Sequence, residues 1–341
     1  MSRTAPYTAV TAAALLLLAG CSSGSSDESG AADGGTPKVA AVIKGLDNPF
    51  FQSMEQGIKD QGSTAGITPT VQAATSITDT TGQADKLTAL AGQDFSCYIV
   101  NPISGTNLVQ GIAQLAAKKK TIVNIDSPVD PAAAKAAGAT PATYIGTNNV
   151  SAGEQAGTRM AAIVPANAEV AAIGGIAGDV TSGARVEGFT KAITGKLQLV
   201  QTVAANWERQ EALTQATNIM RAQPDLKGFF VVNDDMGLGV ARAVANAGKT
   251  GKIKVISVDG NKDALTAVKS GGIDAVVAQY PYAIGLMGME ACQADAAGKT
   301  LPANVEAPVQ LVTEENADEA LAATPKPFGS YADPFKALIG S

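Results

Sequence analysis

The sequence predicts an α/β protein built on two parallel sheets, each covered by helices on both faces. Three observations carry this. Short apolar runs alternate with longer amphipathic stretches from Lys38 onward. The runs are apolar throughout instead of at every second residue, the pattern of strands buried on both sides. The chain has 341 residues, and a single core seldom grows beyond about 250–300 residues, so two domains are expected.

The first 20 residues read as a signal peptide. Arg3 precedes the apolar run Ala12–Gly20, which is shorter than the roughly 20 residues a membrane span needs. It ends Leu18-Ala19-Gly20-Cys21. Small residues before a cysteine resemble the lipobox of bacterial lipoproteins, in which that cysteine is lipidated and heads the mature chain. The alternative is an ordinary secretory signal with a chance cysteine. Residues 21–37 follow as a Ser/Gly/Asp/Ala-rich tether. With almost no bulky apolar residue to bury, the tether stays flexible. Export also permits a disulfide to persist.

Nine strands are predicted: Val39–Ile43, Thr70–Ala73, Cys97–Val100, Ile122–Ile125, Glu169–Ile173, Leu199–Ala204, Phe229–Val232, Ile253–Val258 and Ala275–Ala278. Helical periodicity lies between them. Phe50, Phe51, Met54 and Ile58 share one face, and Leu87, Leu90 and Ala91 share another. Cys97 falls in a strand and Cys292 in a helix, either as buried thiols or as a pair.

Polar residues recur where strands end: Asn101, Asp126, Asn206, Asn233, Asp259 and Gln279. In open α/β sheets, ligands bind beyond the carboxyl ends of the strands. Carboxylates accept hydrogen bonds from hydroxyls, and amides both donate and accept, so this inventory suits a polyhydroxylated guest. Asn and Asp also favour strand-to-helix turns as N-caps. That explains any one position, but six together favour a site.

Composition removes other functions. With 25 Lys+Arg against 31 Asp+Glu the net charge is −6, which opposes nucleic-acid binding. There are no histidines, so His-based triads, general bases and metal ligands are absent. Cys21, Cys97 and Cys292 are too few for a cysteine-only zinc site. Gly248-Lys249-Thr250 and Gly298-Lys299-Thr300 lack the earlier glycine of a phosphate loop. Gly174-Gly175-Ile176-Ala177-Gly178 reads as a close-packed turn. No metal, no cofactor and no catalytic residue is expected.

Several blocks, in order and spacing, resemble the periplasmic sugar-binding proteins of ABC importers, within the ribose-binding cluster of the type I fold. They are Gly45-Leu46-Asp47-Asn48-Pro49-Phe50-Phe51, Val100-Asn101-Pro102, Asn124-Ile125-Asp126, Gly175-Ile176-Ala177-Gly178, Val186-Glu187-Gly188-Phe189, Asn233 to Gly239, Ser257-Val258-Asp259-Gly260 and Ala278-Gln279. The resemblance runs from about Lys38 to Gln310. It implies two Rossmann-like lobes joined by a three-segment hinge, with the sugar held in the cleft between them. The first lobe would comprise 38–146 plus 280–308, and the second 147–279 plus 309–341. Carried over by position, Asn48, Phe50, Phe51, Asn101 and Asp126 match first-lobe contacts. Thr147, Arg185, Trp207, Asn233, Asp259 and Gln279 match hinge or second-lobe contacts. Phe50, Phe51 and Trp207 would stack on the apolar faces of a sugar ring. The layout also brings Cys97 and Cys292 into one lobe, where a disulfide is implied if the Cα separation is about 5.5–6 Å.

Two departures from the ribose pattern stand out. Lys44 replaces a small hydroxyl residue, and Ser127 replaces an arginine. A lysine does not reproduce the planar fork of an arginine. These changes point to another pentose, a hexose or a sugar alcohol, while Lys44 would also suit an acidic sugar or simply balance Asp126. The resemblance implies a monomeric receptor, anchored outside the cytoplasm by lipidated Cys21, that passes a monosaccharide or polyol to an ABC permease. The alternative partner is a signalling receptor that reads the closed form.

Overall fold

The computed structural model describes residues 36–340. The expected signal peptide, Cys21 and most of the tether lie outside the described residues. The chain opens with strand β1 (Val39–Ile43), helix α1 (Pro49–Thr64), β2 (Thr70–Ala73), α2 (Thr80–Ala91), β3 (Cys97–Val100), α3 (Val109–Ala117), β4 (Thr121–Ile125), α4 (Pro131–Ala136) and β5 (Thr143–Thr147). A second set follows: α5 (Asn149–Ile163), β6 (Glu169–Gly174), α6 (Val180–Ile193), β7 (Gln198–Ala204), α7 (Arg209–Ala222), β8 (Gly228–Val231), α8 (Asp234–Asn246), β9 (Lys254–Asp259), α9 (Lys262–Lys269) and β10 (Ala275–Gln279). The chain then returns with α10 (Pro281–Ala296) and β11 (Asn304–Ala307), crosses to β12 (Val309–Val312) and α11 (Ala317–Ala323), and ends in α12 (Pro334–Ile339).

These elements form two six-stranded sheets. The first has the order β2-β1-β3-β4-β5-β11 and the second β7-β6-β8-β9-β10-β12. Both therefore share a 2-1-3-4-5 winding with one strand added by the returning chain. Every pairing in the first sheet is parallel. The second departs from the expected all-parallel sheet at its edge, where β12 runs antiparallel to β10. The reason lies in the connection. β11 ends at the carboxyl edge of the first sheet and only Pro308 separates it from β12, so β12 starts beside Gln279 at the carboxyl end of β10 and runs back along it.

Burial explains the winding. In β1, Val39, Ala41 and Ile43 pack with α1 and α10, while Ala40 and Val42 pack with α2 and α3. A period of two with both faces apolar demands helices on both sides. Cys97 lies on the α10 side and meets Cys292, with Cα atoms 5.8 Å apart in a disulfide. The second lobe gathers around Phe189 and Phe230, whose rings stack 4.4 Å apart.

Three strands were not expected from the sequence. β5 reads Thr-Tyr-Ile-Gly-Thr, and β11 and β12 are four-residue edge strands. None offers an unbroken apolar run, because each depends on a neighbouring strand for burial. The tail also differs from expectation, which gave residues 309–341 to the second lobe. β12 and α11 pack there, but α12 returns to the first lobe, and Phe335 is 0% exposed within its core. Between them, Phe328 packs against the cores of both lobes and meets Tyr280 edge-on at 6.1 Å.

Phe335→Ala is expected to cost about 3 kcal/mol, at the low end for a buried phenylalanine because a terminal helix can undock. Amide exchange should quicken across α12 and its partner α10. An unchanged denaturation midpoint with unchanged exchange would show that the tail is not part of the core.

Candidate functional site

A 2-1-3-4-5 sheet reverses its winding between β1 and β3, or between β6 and β8 in the second lobe. The loops leaving those strands diverge and open a crevice. Lys44 and Asn48 follow β1, and Ile103 follows β3. Ile176 follows β6, and Asn233 follows β8. These residues line one cavity, open to solvent at its mouth. From the first lobe it also takes Phe50, Phe51, Ile77, Asp126 and Ser127, and from the second Thr181, Arg185, Trp207 and Asp259.

Nine of the twelve residues expected at the ligand therefore converge on one space: Lys44, Asn48, Phe50, Phe51, Asp126, Arg185, Trp207, Asn233 and Asp259. Asn101, Thr147 and Gln279 are buried but do not line it. Each carries a shielded polar atom without a partner: Asn101 Oδ1, Thr147 Oγ1 and Gln279 Oε1. Such orphans are rare in folded proteins and call for a missing partner. Asn206, the remaining strand-end residue, turns away. It is exposed, and its amide donates to both Glu211 oxygens at 3.2 and 2.9 Å.

Capping and lining prove compatible. Asn48 Oδ1 accepts from Phe50 N at 2.9 Å, and Asn233 Oδ1 accepts from Met236 N at 3.0 Å. Each caps a helix and still faces the cavity, because both helices begin at the crevice. Asp126, Trp207 and Asp259 hold positive φ values of 59°, 65° and 136°. Backbone of this kind costs energy for non-glycine residues and clusters at functional sites.

Electrostatics centre on Arg185, 4% exposed on α6. Its Nε donates to Asn149 Oδ1 at 2.8 Å, and Nη1 donates to Val232 O at 2.6 Å and Asp259 Oδ1 at 3.4 Å. Nη2 has no hydrogen-bond partner among the described residues. The α6 helix is brought close to α5 by glycine: a Cβ on Gly153 would lie 2.0 Å from Arg185 O. Gln279 Nε2 donates to the same Asp259 oxygen at 2.7 Å. Burial nevertheless pushes the Asp259 carboxyl up to about 6, against the pull of Arg185 and Gln279.

Across the cleft, Asp126 is raised by burial and opposed by Lys44 and then Arg185. Lys44 Nζ donates to Ser127 Oγ at 2.6 Å and lies 3.9 Å from Asp126 and 5.5 Å above the Phe51 ring. The two departures from the ribose pattern thus touch each other. Two cations and two carboxyls share the space, so the site carries no large net charge.

Sequence reasoning missed the lining residues Ile77, Ile103, Ser127, Ile176 and Thr181 as contacts, along with Asp234 behind them. Asp234 accepts from Ser257 Oγ at 2.5 Å and from the backbone of Gly260 and Asn261 at 2.8 and 2.7 Å. It thereby pins the turn that carries Asp259. Burial, and then Asp259, hold its carboxyl well above the usual range. Among the described residues, no group of three His, Cys, Asp or Glu side chains could hold a metal.

The Gly174–Gly178 turn is close-packed for a reason. A Cβ on Gly175 would lie 2.3 Å from Cε2 of Trp207. Gly175→Ala is therefore expected to move the indole, and since Trp207 is the only tryptophan, emission from the ligand-free protein should shift. An unchanged spectrum would show that Gly175 does not seat the ring.

A family model for the periplasmic binding protein domain matches residues 39–300. The D-allose-binding periplasmic protein of Escherichia coli is 35% identical over 279 residues, covering 81% of this chain and 90% of that protein. The ribose import binding protein of Bacillus subtilis is 29% identical over 277 residues, covering 81% and 87%. An ABC transporter solute-binding protein of Actinobacillus succinogenes, solved with bound D-allose, superposes with a TM-score of 0.78 at 27% identity, covering 83% of this chain and 99% of that one.

Proposed function

The chain belongs to the periplasmic binding protein family, and from that membership we propose that it captures a neutral monosaccharide or sugar alcohol and delivers it to an ABC permease. The family's sugar binders transform nothing, and this chain is read as a binding protein, not an enzyme. The observation that carries the sugar reading is the cavity itself. Facing carboxyls of Asp126 and Asp259, the amides of Asn48 and Asn233, the free Nη2 of Arg185 and three aromatic rings share one space. Carboxylates and amides serve hydroxyls, while rings serve the C–H faces.

The charge balance narrows the guest. Lys44 is engaged by Ser127 and lies near Asp126, and Arg185 is engaged by Asp259. A sugar acid would find no unopposed cation, which favours a neutral guest over an acidic one. Relatives bind allose and ribose by name, and the Lys44–Ser127 pair supports a ligand other than ribose for this chain.

The lobes are proposed to close about the three crossings at residues 147–149, 279–281 and 307–309. We read the lobes as 38–146 plus 280–308 and 147–279 plus 309–333, with α12 returned to the first lobe, a division that the two sheets support. Anchoring through lipidated Cys21 is part of the same reading. Its support is the Leu18-Ala19-Gly20-Cys21 block. Among the described residues no helix is long and apolar enough to cross a membrane. A lipid anchor would keep the monomer at the membrane where it meets its permease.

Calorimetry against pentoses, hexoses and alditols, including D-allose and D-ribose, is the direct test. One sugar should bind near micromolar, about −8 kcal/mol. If none binds below millimolar while the protein is folded, the reading fails. The affinity should also depend on pH with a definite sign. Burial pushes the Asp259 carboxyl up to about 6, and only its ionised form offers all its lone pairs to hydroxyls. Affinity should fall about tenfold between pH 7.5 and pH 5, where roughly a tenth of the carboxyl stays ionised. A flat profile across that range would show that Asp259 does not receive the ligand.

A further inference from the structure

Thr181 was not singled out by any sequence pattern, yet it lines the cleft. It is the second residue of α6, one helical turn before Arg185. Residues four apart stand on one helix face, and both of these side chains face the cavity. The Thr181 hydroxyl oxygen is shielded from solvent and has no hydrogen-bond partner.

That is unusual for a helical hydroxyl in this chain. Such groups normally turn back to the carbonyl four residues earlier. Ser53 does so to Pro49 at 3.2 Å, Thr190 to Val186 at 2.8 Å and Thr217 to Leu213 at 2.8 Å. For Thr181 the corresponding residue is Ala177, which precedes the helix, so no carbonyl of α6 stands in line.

The start of α6 is also fixed. Asp179 Oδ1 accepts from Ser182 N at 2.8 Å, and Ser182 Oγ accepts from Gly175 N at 2.8 Å. Gly175 in turn lies under the Trp207 indole. The helix start that carries the hydroxyl is therefore fixed, and Ile176, Trp207 and Arg185 line the same cavity. Asn101, Thr147 and Gln279 also hold orphan atoms, but these lie outside the cavity lining. Thr181 is the orphan hydroxyl on the second-lobe wall itself.

We infer that Thr181 is a specificity-determining residue whose hydroxyl pairs with one hydroxyl of the guest, on the edge that Arg185 grips. The inference rests on the sugar reading above. A guest bearing that hydroxyl relieves the orphan, whereas a deoxy guest leaves it unpaired. Sites built to bond a hydroxyl discriminate strongly against ligands that lack it. The guest class is thus narrowed to polyols that carry hydroxyls at both positions.

The test is calorimetry with wild type, T181V and T181S against the same panel of pentoses, hexoses and alditols, and against the monodeoxy forms of whichever binds. Valine keeps the shape and removes the hydroxyl, so apo melting should not change. T181V should weaken the wild-type sugar about tenfold, while T181S stays within about threefold. One deoxy sugar should bind wild type and T181V equally, which locates the hydroxyl read. If wild type binds a sugar and T181V binds it as tightly, the assignment of Thr181 is overturned alone. If wild type binds none of the sugars, the sugar reading falls and takes this inference with it.

Discussion

A guanidinium and a carboxylate taken out of water together organise the cleft. Arg185 and Asp259 are 4% and 5% exposed and 3.4 Å apart. Neither charge is tolerable there alone, because desolvation outweighs what a single weak partner returns. The surroundings answer that demand. Asn149 accepts from Nε and Val232 from Nη1, Gln279 donates to the carboxylate, and Asp234 grips the turn that follows. These partners come from α5, the turn after β8, α8 and β10, so the pair ties the second lobe together at the point where the guest would sit.

The same arrangement leaves the site poised without being saturated. Asp259 remains high for a carboxylate, because burial exceeds the stabilisation that Arg185 and Gln279 supply. Asp126 is raised for the same reason. On the cavity wall Thr181 holds an orphan oxygen as well. A guest rich in hydroxyls offers a donor and an acceptor at each position, and would satisfy both kinds of deficit at once. Strained backbone at Asp126, Trp207 and Asp259 belongs to the same economy of preorganised groups.

Around this centre the lobes are joined more closely than three hinge strands alone would join them. The tail crosses once more, with α11 on the second lobe, Phe328 between the cores and Phe335 sunk in the first. The Cys97–Cys292 bridge ties β3 to α10, the helix that follows the second hinge crossing. Both features stiffen the first lobe on the side where the chain re-enters it.

The sequence alone determined the two-sheet α/β plan, nine of the strands and, among the cavity residues, Asp126, Asn233 and Asp259, while Lys44, Asn48, Phe50, Phe51, Arg185 and Trp207 were implied by the family resemblance. Those features are local: an apolar run is a buried strand wherever it lies, and the residue that ends it falls at the sheet's carboxyl edge. Asn206 marks where that rule stops, since its side chain follows a left-handed turn towards Glu211. The short strands β5, β11 and β12, the return of α12, and the orphan hydroxyl of Thr181 were decided only by tertiary structure. Each depends on what stands opposite. Edge strands and a terminal helix take their burial from segments distant in the chain, and whether a helical hydroxyl is paired depends on the carbonyl that happens to face it.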